Sequence, residues 1–349
     1  MKYKITIVFL VVVILLYFLA KPYLTFINRT LKVSILKALI SHDSLKTFDN
    51  QVNMLILGIP GGEYQGPNLS DSITVANYNF TNNQITTFSI PRDIWSDTLR
   101  DKINSAYAYG EAKAVGGGLK LAKAEVSTII GQPIQYAAVI DFSKFEKIID
   151  FLGGIQIEVD RSFTDKKFPI PGKEDDECGG NDPDFKCRYE TITFNKGTMV
   201  MDGKTALKFV RSRNAVGTEG SDFARENRQQ KVIDAVEKKI VQQLKNLSLK
   251  NLDALYQQFN QLVKRDINNQ QLAIIAKNAL VKKLIGKDLK RKQATLSENF
   301  FYVPAYYEYD GKYVLIPDDE DFAKVHQYIN CQITDMVHCE NLIPKDNNQ

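Results

Sequence analysis

Residues 52–95 read VNMLILGIPGGEYQGPNLSDSITVANYNFTNNQITTFSIPRDIW. VNMLILG (52–58) is a short apolar run that stops at glycine, the pattern of a buried strand. ITVANYNF (73–80) and QITTFSI (84–90) alternate apolar and polar residues around TNN, which predicts an antiparallel hairpin. Between strand and hairpin lies a glycine-rich loop, GIPGGEYQGPNLSDSI (58–73), carrying Glu63 and Asp71. No GK[ST] follows, so it is not a Walker loop. Its glycines let backbone approach a ligand, although an ordinary long loop has the same composition. SIPRDIW (89–95) comes at the end of the last strand. Pro91 stops the ladder, and Arg92 and Asp93 emerge where α/β folds place binding groups. Alone, the same residues also suit a salt-bridged surface turn.

The pattern continues outward with alternating strands and helices. LKLAKAEVSTII (119–130) has helical spacing, IQYAAVID (134–141) is a strand, FSKFEKIIDFL a helix and GGIQIEVD a further strand. Residues 161–190 read as an irregular insertion rich in Asp, Gly, Pro and Lys. DGKTALKFV (202–210) is helical, and an N-cap signal at Ser221 or Asp222 opens a long helix. Further helices are expected near 250–263, near 269–284 and from about Asp318. The expected fold is α/β, a mixed central sheet covered by helices, over residues 51–330, with a C-terminal tail at 331–349.

Ahead of the domain, ITIVFLVVVILLYFLA (5–20) carries no charge, and PYLTFI extends the apolar stretch to about Phe26. This predicts a transmembrane anchor over 5–26 after a four-residue cytoplasmic tail, with 27–50 as a stalk. A cleaved signal peptide is the alternative, but Leu19-Ala20-Lys21 lacks a small-x-small cleavage site. The four cysteines, Cys178, Cys187, Cys331 and Cys339, form two locally spaced pairs without CxxC and apart from the histidines. Two local disulfides fit better than zinc, with four buried thiols as the alternative. Disulfides require an oxidising compartment, so the domain is expected outside the cytoplasmic membrane. The net charge of +4 on 45 basic and 41 acidic side chains gives no support to nucleic acid as a partner.

FVRSRNAVGTEGSDFARENRQQ (209–230) concentrates Arg211, Arg213, Arg225 and Arg228 within eighteen positions. In an extended segment Arg211 and Arg213 point to one side. On the following helix Asp222, Arg225, Arg228 and Gln229 share a face. A solvated basic face is the alternative. Guanidinium forks match phosphate oxygens, and the apolar neighbours Phe209, Val210 and Phe223 make unpaired cations costly. Arginines with carboxylates together suggest a pyrophosphate bound with a divalent metal.

These motifs, taken in order, resemble the LytR-CpsA-Psr family of envelope phosphotransferases. MLILGI, LSDSITVANYN, SIPRD, KINSAYAYG, FLGGIQIEV, and the long G-x-x-x-M-D-G-K-x-A-L-x-x-V-R-S-R followed by S-D-F-A-R-E-N-R-Q-Q are similar to its segments. The resemblance implies a single-pass membrane protein facing the wall. Such a protein moves a glycopolymer from a polyprenyl-pyrophosphate carrier to peptidoglycan through a phosphodiester bond. It implies that Arg92, Arg211, Arg213, Arg225 and Gln229 hold the pyrophosphate and that Asp71 helps position Mg²⁺ or Mn²⁺. Asp93 and Asp222 would orient arginines or activate the incoming hydroxyl, with Arg92 also catalytic.

Two positions depart from the family pattern. Pro60 stands where the family has an aspartate after the first strand, and Leu69 replaces the arginine of its RSDT segment. Glu63 is the nearby acid that could reach the same metal. Two other readings therefore stay open: a weakened domain that binds lipid-linked glycan as a scaffold or regulator, and a polyprenyl-pyrophosphate phosphohydrolase.

Overall fold

The computed structural model describes residues 20–40, 44–62, 66–173, 175–246, 249–296, 298–318, 321–334 and 338–344. Most of the expected anchor, and Glu63, lie outside the described residues. Among those described, no helix is long and apolar enough to cross a membrane.

The opening stretch forms three strands, β1 (Gln51–Ile59), β2 (Ser72–Asn79) and β3 (Gln84–Ile90), paired antiparallel in sequence order. Asn83 makes the turn between β2 and β3 at φ 53°, a left-handed conformation that asparagine tolerates. β4 (Tyr136–Asp141) lies parallel to β1 on its other side. Being central, β1 and β4 are covered on both faces, which explains their near-continuous apolar sequence. Two further strands, β9 (Val263–Arg265) and β10 (Lys290–Thr295), complete a six-stranded mixed sheet of order β9-β4-β1-β2-β3-β10. The principal core packs Leu55, Leu57, Val75 and Phe88 of this sheet with α2 (Ala106–Lys113), α3 (Gly117–Ile130) and α9 (Ala323–Thr334).

A second core lies beyond α4 (Phe145–Phe151). There β5 (Ile155–Val159) pairs with β8 (Gly197–Met201), and β6 (Phe163–Pro169) pairs with β7 (Tyr189–Phe194). Both strand pairs pack with α5 (Gly203–Arg211) and α6 (Asp222–Asn246) around Phe163, Phe194 and Phe209, whose rings lie 5.0–6.0 Å apart. The 161–190 segment is therefore not an irregular insertion. It supplies β6 and the start of β7, and buries Phe163 and Phe168. Its polar composition belongs to the hairpin tip, closed by the Cys178–Cys187 disulfide.

The expected boundaries also shift. α1 (Ile35–Ile40) is tied to α8 (Asn269–Leu284) rather than standing off as a stalk. Ser34 N donates to Gln270 Oε1 at 2.8 Å, and Asn269 Nδ2 donates to the Leu31 carbonyl at 2.8 Å. At the other end α9 starts at Ala323 rather than near Asp318 and runs through residue 330. Cys331, Ile333 and Cys339 are buried in the principal core, and a Cys331–Cys339 disulfide joins them, so the core does not stop at residue 330.

Candidate functional site

β1, β3 and β4 all end, and β2 begins, along one edge of the sheet. The register puts Ile59 opposite Asp141, Gly58 opposite Ser72, and Ile73 opposite Ile90. Asp71 and Arg92 leave from neighbouring strand ends, so strand pairing sets the distance between them. Arg92 Nη1 donates to Asp71 Oδ1 at 2.7 Å, and Arg92 Nε lies 3.6 Å from Asp93 Oδ2. Lys102 Nζ donates to Asp93 Oδ1 at 2.7 Å. A chain of alternating charges results: Asp71, Arg92, Asp93, Lys102.

The backbone under this chain is held from both sides. The Asn104 and Ile103 amides donate to the Arg92 and Ile94 carbonyls at 3.2 and 2.7 Å, and Leu315 N donates to Asp93 O at 3.0 Å. The Arg92 side chain keeps 34% of its surface exposed. It is a guanidinium anchored on one edge and open on the other, the geometry for receiving an anion.

Among the described residues, the acids at this edge do not assemble a divalent-cation site. Position 60 is proline, Asp71 is already paired with Arg92, and Glu63 lies outside the described residues. Asp141, the other acid at this edge, accepts from Ser143 N at 3.0 Å and Ser143 Oγ at 2.6 Å, and pairs with Lys144 at 3.1 Å. Gly61 (φ 61°) presses so close to it that an added Cβ would sit 1.9 Å from Asp141 Oδ1. Among the described residues the grouping with metal-ligand spacing is Asp176, Cys178 and Cys187, whose two sulfurs form the disulfide. A cavity of about 270 Å³ at Asp141 is also lined by Gly61, Gly62, Asn68, Lys144 and Lys264, so two lysines face one aspartate there.

The arginine-rich segment belongs to the second core. Asp202 caps α5, accepting from Thr205 N at 2.8 Å. Gly203 abuts α4, where an added Cβ would meet the Glu146 carbonyl oxygen at 2.2 Å. α5 ends at Arg211, and Ser212 then turns inward, fully buried. Its hydroxyl donates to Asp165 Oδ2 at 2.8 Å, and the amides of Arg213 and Asn214 donate to the same oxygen at 3.1 Å. Arg211 is the last helical residue of α5 rather than part of an extended segment; it is half-buried, and Arg213, past the buried Ser212, is exposed. Ser221 opens α6 by accepting from Ala224 N at 3.2 Å. Arg225 is half-buried and Gln229 exposed on this helix. Asp222 occupies its first turn.

Arg228 shares that sequence face but not that role. It is buried, donating to the Phe209, Glu219 and Ser212 carbonyls at 3.0, 2.9 and 2.8 Å and pairing with Glu219 at 3.0 Å. Its guanidinium lies over the Phe163 ring at 4.9 Å. Burial pushes its pKa below the usual arginine value, with Glu219 opposing. Arg228 thus fastens residues 209–219 to α6.

The structure therefore brings Asp71, Arg92 and Asp93 together at the sheet edge and places Arg211, Arg213, Arg225 and Gln229 on the second core. α4, which follows Asp141 directly and packs on α5, joins the two groups. Three contributors escaped the sequence reading. Lys102 lay in KINSAYAYG, where nothing local marks it as Asp93's partner. Asp165 lay in the segment read as irregular, and Asp141 looked like an ordinary strand end.

The fold has known counterparts. The TagV crystal structure from Bacillus subtilis superposes with a TM-score of 0.51 at 22% identity, covering 82% of this chain and 99% of that one. In sequence, the chain is 32% identical over 193 residues to a polyisoprenyl-teichoic acid–peptidoglycan teichoic acid transferase TagU of Bacillus mycoides, covering 54% of this chain and 52% of the relative. It is 31% identical over 198 residues to the regulatory protein MsrR of Staphylococcus aureus, covering 55% and 50%. The chain spans about half the length of these curated relatives. The LytR_cpsA_psr family pattern matches residues 25–327, most of the chain including both groups of site residues, and the protein belongs to that family.

Proposed function

We propose that this protein transfers a glycopolymer from a polyprenyl-pyrophosphate carrier to peptidoglycan, forming a phosphodiester bond. The observation that carries this reading is Arg92, fixed between Asp71 and Asp93 at the strand ends with one edge left open. The printed name of the TagU relative, a teichoic acid–peptidoglycan transferase, supports the same class of reaction. In this reading the pyrophosphate lies between Arg92 and Lys102 on the sheet side and Arg211, Arg213, Arg225 and Gln229 on the other.

A sugar hydroxyl of the acceptor attacks the phosphorus nearer the glycopolymer. The bond to the bridging oxygen breaks, and polyprenyl phosphate leaves. Negative charge grows between groups that are already anionic, so fixed guanidinium groups stabilise the transition state more than the bound substrate. Asp93 has both oxygens engaged, by Lys102 and Arg92, and serves to aim Arg92. Asp222 is assigned the proton of the hydroxyl. In this reading the protein's own cations carry the growing charge. The two disulfides fit a domain outside the membrane, anchored through residues 5–26.

The test supplies a radiolabelled glycan on a polyprenyl pyrophosphate, with peptidoglycan as acceptor. Label entering the peptidoglycan supports transfer, and its loss in an Arg211→Ala/Arg213→Ala variant that still folds supports the assignment. Label released as free glycan phosphate would mean hydrolysis instead.

A further inference from the structure

The chain between Phe301 and Val314 leaves the principal core and returns to it. Phe300, Phe301, Val314 and Leu315 are buried at its two ends, and Phe301–Tyr302 pairs with Ile316–Pro317. The excursion reads YVPAYYEYDGKY (302–313), and its tyrosines face outward: Tyr302, Tyr306 and Tyr313 are about half exposed and Tyr307 is 84% exposed. A cluster of exposed aromatic rings is unusual on a monomer surface and marks an interaction site.

This excursion is bonded to the catalytic edge. Leu315 N donates to the Asp93 carbonyl, and Trp95 N donates to the Leu315 carbonyl, both at 3.0 Å. The Trp95 and Tyr309 rings pack edge to face at 4.8 Å. Lys102, the partner of Asp93, lies 5.9 Å from the centre of the Tyr313 ring. Lys312 donates to Asp101 at 2.8 Å, and the hydroxyl of exposed Tyr109 donates to the other oxygen of Asp101. The rings therefore begin where the Arg92–Asp93–Lys102 chain ends.

Accepting the transfer reading above, we propose that this tyrosine surface binds the acceptor glycan, stacking pyranose rings so that a sugar hydroxyl reaches the pyrophosphate. The C–H faces of a pyranose suit the electron-rich faces of tyrosine, whose hydroxyls meet the sugar's polar edge. Asp97, Glu308 and Asp310 border the rings, while the neighbouring Lys102 and Lys312 are each paired with an aspartate, a balance that disfavours a polyanionic donor chain. It equally disfavours an anionic lipid surface. The patch suited to lipid lies at the opposite end of the sheet, where exposed Leu280, Leu284 and Ile285 stand among Lys282, Lys283 and Lys287. That end is fixed by Asn83, in the β2–β3 turn, which donates to the Lys287 carbonyl. The tyrosine excursion, bonded to Asp93 and Trp95, lies at the other end of the strands.

Trp95 is the single tryptophan of the chain, so its emission reports on this surface. The full-length protein is titrated with an N-acetylglucosamine tetramer, a neutral β-1,4-linked oligosaccharide. The expected result is a saturable change in Trp95 emission. Tyr306→Ala/Tyr307→Ala weakens binding by about tenfold or more, while Tyr306→Phe/Tyr307→Phe retains most of it. Arg92→Ala leaves the titration unchanged, which separates sugar binding from catalysis. If the oligosaccharide binds but no transfer is found, the transfer reading fails and the sugar surface stands. Absence of any saturable change, or equal affinity in the alanine variant, overturns the proposal. So does emission that responds to phosphatidylglycerol vesicles and not to sugar.

Discussion

Arg92 and Arg228 sit on the two halves of this molecule and show how one residue type is put to opposite uses. Arg228 is 4% exposed at its side chain, with three backbone carbonyls, Glu219 and an aromatic face around it. Nothing of it remains for a ligand. Arg92 is engaged on the Nη1 and Nε side by two carboxylates, while Nη2 has no partner among the described residues. The first arginine is architecture that positions other arginines; the second is pre-aimed for an anion. Around each, an aspartate does matching work. Asp165 gathers the amides after Arg211, and Asp93 holds Arg92 against Lys102.

The largest expected effect breaks the architectural side. Arg228→Ala leaves Glu219 and three carbonyls without their cation, and should cost about 3–5 kcal/mol of folding stability in a urea unfolding curve. Arg92→Ala should shift the same curve by less than about 1 kcal/mol, because its ion pairs are half exposed. Equal destabilisation by the two variants would erase the distinction.

Turnover should invert the ranking. Arg92→Ala is expected to lower the transfer rate by about 10²–10³ with the melting temperature unchanged. Arg92→Lys should not restore it, since a point charge cannot reach both Asp71 and Asp93 while presenting a fork to phosphate. A smaller effect is expected at the junction of the two roles. Asp165→Asn keeps size but weakens the four bonds that the carboxylate accepts, costing about 1–3 kcal/mol and loosening pyrophosphate binding through Arg211 and Arg213. Calorimetry with inorganic pyrophosphate would show whether affinity falls with stability or stays fixed.

The smallest effect concerns the cap of α5. Asp202→Ala should cost about 1 kcal/mol. The Asp202 carboxyl is held below its usual pKa by hydrogen bonds from the Thr205 side chain and then its amide. A depressed carboxyl stabilises the fold above its unfolded value of 3.8 and loses that contribution as the pH falls through the folded value. The stability gap between parent and Asp202→Ala should therefore be full near neutrality and close on acidification. A gap independent of pH would point to a cause other than the charged cap.

Much of the fold was legible because periodicity is local. The apolar runs of β1 and β4, the alternation of β2 and β3 and the cap at Ser221 each depend on residues within a few positions. The 161–190 segment was misread for the same reason. Its tip is polar and disulfide-closed, and it masks Phe163 and Phe168, which belong to a strand only when paired with β7. Arg228 was indistinguishable from Arg225 in the helical pattern. Residues three apart are only about 60° from each other round a helix, so the pattern cannot say that Arg228 meets Phe163 while Arg225 stays half-buried; only the packing partner decides that.

The sequence by itself determined the α/β class, the order of the main elements, two local cysteine pairs and the segments in which arginines and carboxylates concentrate. These follow from short-range patterns and from the chemistry of guanidinium and carboxylate groups. Tertiary structure alone decided that Asp71 pairs with Arg92, that Lys102 stands behind Asp93, that Asp165 braces the arginine segment and that Arg228 is buried. The reason is physical. Charge pairing depends on distances across strands and between the two cores, and those distances exist only once the sheet register and the packing of α4 on α5 are set.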